Sequence, residues 1–475
     1  MIPLPLAAVA EAAGGTVHGD PATVVRGPVV IDSRAVEPGA LFVALRGERV
    51  DGHDFAGAAF AAGAAAVLAE RPVGDGPAVV VPDAQAALGL LARGVLARLP
   101  DARVVAITGS AGKTSTKDLI GQLLAQAGPT VWPPGSFNNE IGLPLTVLRA
   151  DADTRHLVLE MGARGIGHIA YLTEIAPPDV GVVLNVGTAH LGEFGSPERI
   201  AEAKGELPAA VPAGGTAVLN ADDPLVRAMA ARTAAEVVLF GRGADAHVRA
   251  VDESLDDAGR PRFTLVTPEG EAPVELRLHG AHAVLNALAA AAAARACGLD
   301  VARVAAGLGE AVAASRWRME VTERPDGVTV VNDAYNANPD STRSAVDVVR
   351  HMARGRRAFA VLGEMAELGA SSVAEHAKIG QHVARNGFDG LITVGEAAAA
   401  MAEGAGQVAS WTGECVQVDD VGAAVTALGE RLRPRDVVLV KGSRVAGLER
   451  VAAALLAAGP DGAGSGAGAP GGGHR

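Results

Sequence analysis

The stretch RVVAITGSAGKTSTKDLIGQLLAQAG, Arg103 to Gly128, constrains this chain more than any other. Val104 to Ile107 is a short apolar run rich in β-branched residues, which suits a strand buried in a parallel sheet. Gly109-Ser110-Ala111-Gly112-Lys113-Thr114 follows Thr108 without a gap. Leu119, Ile120, Leu123, Leu124 and Ala127 then recur at helical spacing, and Gly128 is placed to cap the helix. Strand, glycine loop, Lys-Thr and helix is the order that wraps a nucleotide's phosphates. The glycines admit backbone N–H groups to the oxygens, and the helix N-terminus adds a favourable dipole. Lys113 would neutralise β- and γ-phosphate charge, and the Thr114 hydroxyl would hold Mg²⁺. The general template puts four residues between its first glycine and Gly-Lys-Thr, whereas only Ser110 and Ala111 separate Gly109 from Gly112. The flanking strand and helix favour ATP or GTP binding over a chance glycine loop.

Composition bounds the rest. A chain of 475 residues is long enough for about three domains. With 49% hydrophobic and 20% charged residues it has ample material for buried cores. A net charge of −13 argues against a nucleic-acid partner. Cys297 and Cys415 stand far apart in no metal-ligand spacing, which points to a reducing compartment. The N-terminal MIPLPLAAVAEAAGG has no basic region and reads as a short helix rather than a signal peptide. Ala287 to Ala294 falls short of a membrane span and reads as a core helix, and no stable membrane insertion is expected. The Gly/Ala/Pro/Ser-rich end, residues 460–475, reads as a flexible tail.

Three α/β units follow from the alternation of apolar runs and helical stretches: residues 1–100, 101–314 and 315–459. In the first, Val29-Val30-Ile31, Ala40 to Ala44 and Ala78 to Val81 read as strands, trailed by Ser33, Arg34, Arg46, Asp51 and His53. Those polar residues either line an anion or sugar site or serve as turns and caps. In the second, strands are expected at Val104–Ile107, Leu157–Leu159, Val180–Leu184 and Ala217–Leu219. Glu160, then Asn185 and His190, then Asn220 with Asp222-Asp223 follow their C-terminal ends, where open parallel sheets place ligands. Ser196 and Pro197 start a helix that carries Lys204 toward the same edge; alone, that lysine reads as a solvated charge. In the third, strands at Val328–Val331, Ala358–Leu362, Leu391–Val394 and Val437–Val440 are trailed by NDAYNANP, GEM and KGSR. The same edge recurring in two units suggests a cleft between them.

At this point the motifs coincide with a known family. The chain resembles the Mur ligases of peptidoglycan synthesis, closest to the MurF branch, over nearly its whole length apart from the tail. TGSAGKTS is similar to the family's short phosphate loop, and DSRAVEPGALFVALRGERVDGHDF to the N-terminal domain that MurE and MurF share to hold a uridine nucleotide. SFNNEIGLPLTVL, AKGEL, LNADD, HAVLNALAA, RME, YNANPDS, GEMAELG and KGSR occur in the family's order. The resemblance implies a central P-loop ATPase-like parallel sheet, flanked by an N-terminal UDP-substrate domain and a C-terminal Rossmann-like domain. It implies that Thr108 to Thr114 grip ATP, that Thr114, Glu160 and His190 hold two Mg²⁺, and that Lys204 carries CO₂ as a carbamate. A free amine would repel metal, whereas its carbamate is a carboxylate-like ligand. Asn286, Arg318 and Asp333 would meet adenine, phosphate and ribose, with the nearby Arg316 as the alternative to Arg318. Ser33, Arg34, Asn138 and Asn139 fall in the segments that would meet the muramyl substrate.

The activity implied is ATP-dependent amide formation between UDP-MurNAc-tripeptide and D-Ala-D-Ala by a cytoplasmic monomer. A MurE-type ligase is the nearest rival, although no DNPR string is present. Folylpolyglutamate synthase is further off, because DSRAVEPGALFVALRG and NNEIG are not its signature. A nucleotide-gated switch would need Gly109 to Thr114 but not Glu160, His190 and Lys204 together.

Overall fold

The computed structural model describes residues 1–187 and 191–457. Three large sheets carry the chain: five strands at the N-terminal end, nine in the centre and six at the C-terminal end. The short Leu4–Pro5 and Val24–Val25 strands pair separately.

The central sheet forms around Arg103–Thr108, whose neighbours are His156–Glu160 on one side and Val180–Val183 on the other, all parallel. Chain order reverses at this strand, so a crevice opens beyond its C-terminal end. Both faces are covered, which explains an apolar run without polar alternation. Val104 and Ala106 enter one core, while Val105 and Ile107 enter the other. The first core is shared with the N-terminal sheet: its Ala84–Leu96 helix packs on the Gly142–Val147 and His168–Ile175 helices. Close approach is needed there, because a Cβ on Gly89 would lie 3.0 Å from Ile175 Cδ1. The second core holds Lys113–Ala125 and the alanine-rich His282–Ala296 helix, whose Ala287 to Ala294 are all buried.

The expected fold holds, with one refinement and one correction. The central sheet is mixed rather than purely parallel, since Val248–Leu255, Pro261–Thr267 and Gly270–Glu275 extend it as an antiparallel meander. These strands are half-exposed and polar, so they lack the continuous apolar signature of the buried ones. The nucleotide helix ends at Ala125 with Gln126 as its cap, and Gly128 lies beyond, its N–H donating to the Leu124 carbonyl at 3.1 Å.

The C-terminal sheet is parallel except for its Glu320–Glu323 edge strand. It meets the central unit directly. Arg354 pairs with Asp257, His351 Nε2 lies 3.0 Å from the Asp256 carbonyl, and Ser344 Oγ lies 3.0 Å from His282 Nδ1. The Pro339–Ala353 helix thus lies against the hairpin turn that follows Val248–Leu255.

Candidate active site

The site is assembled at the C-terminal end of Arg103–Thr108. The loop after that strand is pinned by Asn185, whose carbonyl accepts the Ser110 N–H at 3.1 Å and whose Oδ1 accepts the Ala111 N–H at 2.9 Å. Gly112 sits at φ 83° with no room for a side chain, as a Cβ would fall 2.5 Å from Asn286 Oδ1. Thr108 Oγ1 and Ser110 Oγ are buried and find no hydrogen-bond partner among the described residues. Lys113 opens the helix and its Nζ donates to the Gly109 carbonyl at 2.7 Å. Burial pulls this ammonium below its ordinary pKa, and the Glu160 carboxylate opposes that shift. Loop amides, orphan hydroxyls and a half-buried lysine at a helix N-terminus suit a polyphosphate.

Glu160 ends the adjacent strand and is buried. Its Oε2 accepts from the Thr114 hydroxyl at 2.9 Å, and its Oε1 accepts from Ser136 Oγ at 2.7 Å and Asn138 Nδ2 at 2.8 Å. Asn139 is used differently: its Oδ1 accepts the Gly142 N–H at 2.8 Å, at the start of a helix. Arg318 arrives from the C-terminal side, with Nη2 3.2 Å from Thr114 Oγ1 and its guanidinium over the Tyr335 ring at 4.2 Å. Its neighbours Trp317 and Met319 are both held at positive φ, 60° and 51°. Asp333 lies deeper in this second sheet, where Lys441 Nζ donates to its Oδ2 at 2.6 Å and the Met319 N–H to its Oδ1 at 3.1 Å.

Lys204 ends the Pro197–Lys204 helix and is 3% exposed, so it is no solvated surface charge. Burial, then the nearby Lys113 charge, push its pKa well below the usual lysine value. His190 lies outside the described residues. Ser33 and Arg34 sit in a turn of the N-terminal sheet capped by Asp32, which also receives the Arg34 guanidinium at 2.7 Å. Asp51 likewise caps the next turn and holds His53, whose Nε2 accepts the Glu70 N–H at 3.0 Å.

A cavity of about 680 Å³ opens between the two sheets. Gly112, Asn286, Arg318, Asp333, Asp340 and Lys441 are among its walls. That volume suits a nucleotide-sized ligand. The sequence pointed to Asn286, Arg318 and Asp333 separately, and the structure brings them to one chamber. Local sequence does not single out Ser136 or Asp340; their signal is their place in SFNNE and NPDS.

The donor set also bears on a divalent metal. Among the described residues no cluster of three or more His, Cys, Asp or Glu side chains is placed to chelate an ion. One carboxylate and one hydroxyl, Glu160 and Thr114, do meet at 2.9 Å. That hard-oxygen pair fits Mg²⁺, which commonly takes one or two carboxylates and completes its shell with phosphate oxygens and water.

Comparison with known proteins now decides the family. Residues 28–95 match the Mur ligase family catalytic domain, 107–294 the Mur ligase middle domain and 317–444 the Mur ligase glutamate ligase domain. The UDP-N-acetylmuramoyl-tripeptide--D-alanyl-D-alanine ligase of Mycobacterium bovis is 51% identical over 96% of this chain and 98% of its own. The chain belongs to the Mur ligase family. The Escherichia coli K12 ligase of the same description is 38% identical over 96% of this chain and 99% of its own. Among solved structures, MurF from Acinetobacter baumannii superposes with a TM-score of 0.86 at 32% identity, covering 96% of this chain and 99% of that one. MurF ligase from Thermotoga maritima, solved in complex with ADP, gives 0.76 at 32% identity, covering 89% of this chain and 96% of that one. This Mur ligase therefore has the family's α/β architecture and is most similar to its MurF members. Among its described residues no helix is long and apolar enough to cross a membrane.

Proposed function

We propose that this Mur ligase uses ATP to join D-alanyl-D-alanine to UDP-N-acetylmuramoyl-tripeptide, giving the pentapeptide, ADP and phosphate in the cytoplasm, as a monomer. The observation that carries the substrate assignment is the 51% identity, over 96% of this chain, to a UDP-N-acetylmuramoyl-tripeptide--D-alanyl-D-alanine ligase. Three units divide the work: residues 1–100 hold the uridine nucleotide, 101–314 the ATP, and 315–459 the incoming dipeptide.

The tripeptide's carboxylate attacks the γ-phosphorus and ADP leaves, which yields an acyl phosphate. The neutral amine of D-Ala-D-Ala attacks the acyl carbon, loses its proton and expels phosphate. A carboxylate is a poor electrophile, so phosphorylation supplies the leaving group. The protein's part is to align anions and screen their repulsion. Lys113 and the Gly109–Gly112 loop take the phosphates, and Arg318 lies beside them through its contact with Thr114. Tyr335 beneath Arg318 and the positive-φ residues on either side of it limit where its guanidinium points. Thr114, Glu160, His190 and a carbamate on Lys204 would hold Mg²⁺, which supplies charge screening for the phosphates when bound. Burial supports the carbamate, because only the neutral amine of Lys204 attacks CO₂. Closure of the C-terminal unit over the cavity keeps water from the acyl phosphate.

The test is purified protein with ATP and either UDP-MurNAc-tripeptide with D-Ala-D-Ala or UDP-MurNAc-dipeptide with diaminopimelate. Phosphate release with D-Ala-D-Ala is expected. Release only with diaminopimelate would show a MurE-type ligase, and slow hydrolysis indifferent to either amine would indicate a nucleotide switch.

A further inference from the structure

One lysine of the nucleotide helix is buried more deeply than those described above and has no part in the chemistry so far. Lys117, one turn after Lys113, is 0% exposed. A buried ammonium is costly unless every proton finds an acceptor. Lys117 Nζ donates to the Pro133 carbonyl at 2.5 Å and the Gly135 carbonyl at 2.9 Å, and pairs with Asp118 Oδ1 at 2.7 Å. It also reaches Ser315 Oγ at 3.5 Å. Ser315 closes the cluster: its Oγ accepts the Gly135 N–H at 3.3 Å and its own N–H donates to Asp118 Oδ2 at 3.0 Å.

Both segments gathered here lead straight to the phosphate site. Pro133–Gly135 runs into Ser136 and Asn138, the two donors that occupy Glu160 Oε1 and turn Oε2 toward Thr114. Ser315 stands just before Arg318, whose guanidinium meets the same Thr114 hydroxyl. One turn further along the helix, Gln122 clasps the same linker, donating to the Val312 carbonyl at 3.0 Å and accepting its N–H at 3.1 Å.

We propose that Lys117, with Asp118 and Ser315, is a positioning residue that sets Glu160 and Arg318 together around Thr114, so that metal-dependent nucleotide binding and entry of the arginine depend on one buried ammonium. The activity arm of the test rests on the ligase reading; the binding arm does not. Lys117→Met keeps the length and removes the charge, Lys117→Arg restores a donor, and Ser315→Ala removes one acceptor without uncovering a charge. ADP affinity is measured by calorimetry with and without Mg²⁺, alongside kcat and KM for the three substrates and the melting temperature. In Lys117→Met, ADP affinity without metal should stay within about threefold of wild type, since Gly109–Lys113 are untouched. The strengthening by Mg²⁺ should fall about tenfold and kcat about 10²-fold, with KM for the dipeptide little changed. Lys117→Arg should recover part of both, and Ser315→Ala should show the same pattern more weakly. Metal-dependent binding and kcat equal to wild type in a folded Lys117→Met would overturn the proposal. So would a uniform loss of metal-free and metal-dependent affinity that tracks the melting temperature. If Lys117→Met does not fold, an unchanged Mg²⁺ effect in Ser315→Ala overturns it alone. A wild type that binds Mg·ADP but makes no amide bond would sink the ligase reading, while the binding arm still decides the role of Lys117.

Discussion

The central and C-terminal sheets both place buried lysine at the cleft, and they balance its charge in opposite ways. In the C-terminal sheet, Lys441 Nζ donates to Asp333 Oδ2 at 2.6 Å, the Asn336 carbonyl at 2.8 Å and the Asp333 carbonyl at 3.4 Å. In the central sheet, Lys113 and Lys204 lie close enough that the charge of one disfavours the charge of the other. The carboxylate beside them, Glu160, is already engaged by Thr114, Ser136 and Asn138. The C-terminal cluster is complete as it stands and gives the cavity a rigid wall. Among the described residues the central one is left to be completed by what it binds: phosphate oxygens at Lys113 and, in our reading, CO₂ at Lys204.

That contrast breaks down if lysines in the two places respond alike to substitution. Lys113→Met should have the largest effect, lowering phosphate release by about 10³-fold, in line with removal of a charge donor preorganised for the transition state. Its melting temperature should hold or rise, because the desolvation cost of the ammonium goes with it. Lys204→Ala should cost about 10²-fold in kcat while ADP affinity without metal stays near wild type, since the phosphate loop keeps its contacts. Full activity of Lys204→Ala, indifferent to bicarbonate, would remove the carbamate from the scheme. Lys441→Met should act on stability instead, because it strands the buried Asp333 carboxylate; breaking such a pair costs about 3–5 kcal/mol. The denaturation midpoint would report it. Adding Asp333→Asn to Lys441→Met should recover part of the loss, a coupling that independent sites do not show. A Lys441→Met protein of native stability would mean that the pair is not what holds this wall.

How much of this was legible in the sequence divides along the same line. The central strands are covered on both faces, so Val104–Ile107 and Val180–Leu184 announce themselves as continuous apolar runs. The phosphate loop is local in sequence, and its geometry follows from contiguous residues. The half-exposed strands from Val248 to Glu275 lack a continuous apolar run and do not stand out in the sequence, although their hairpin turn meets the C-terminal helix. Lys117 could not be read either. A lysine in a helix normally points to solvent, and only the fold brings Pro133, Gly135 and Ser315 around it. Lys204 lies on the helix that Ser196 and Pro197 announce, but its burial depends on packing that no local pattern encodes. The pairing of Asp333 with Lys441 joins two parallel strand ends far apart in the chain, and strand pairing leaves no mark on either one alone.

The gentlest test of the contrast is the pH dependence of stability. Lys204 has a folded pKa well below the ordinary 10.5 because burial, and then Lys113, disfavour its charged form. Below the folded value both the folded and unfolded chains hold the proton, and the full penalty of a buried ammonium stands. Between the folded and unfolded values the unfolded chain binds more protons, so stability must rise with pH, by at most about 1.4 kcal/mol per pH unit from this one group. Above the unfolded value the penalty is gone. In CO₂-free buffer, Lys204→Met should therefore be more stable than wild type at pH 7 and converge on it toward pH 10. Lys441 should add much less slope than its burial alone implies, because Asp333 works against the desolvation of its charge. Added bicarbonate should stabilise wild type in the upper part of this range by trapping the neutral amine, and should leave Lys204→Met unmoved. Parallel stability curves for the two proteins, with no response of either to bicarbonate, would mean that Lys204 is not the incomplete group and that the central cluster is as self-contained as its C-terminal counterpart.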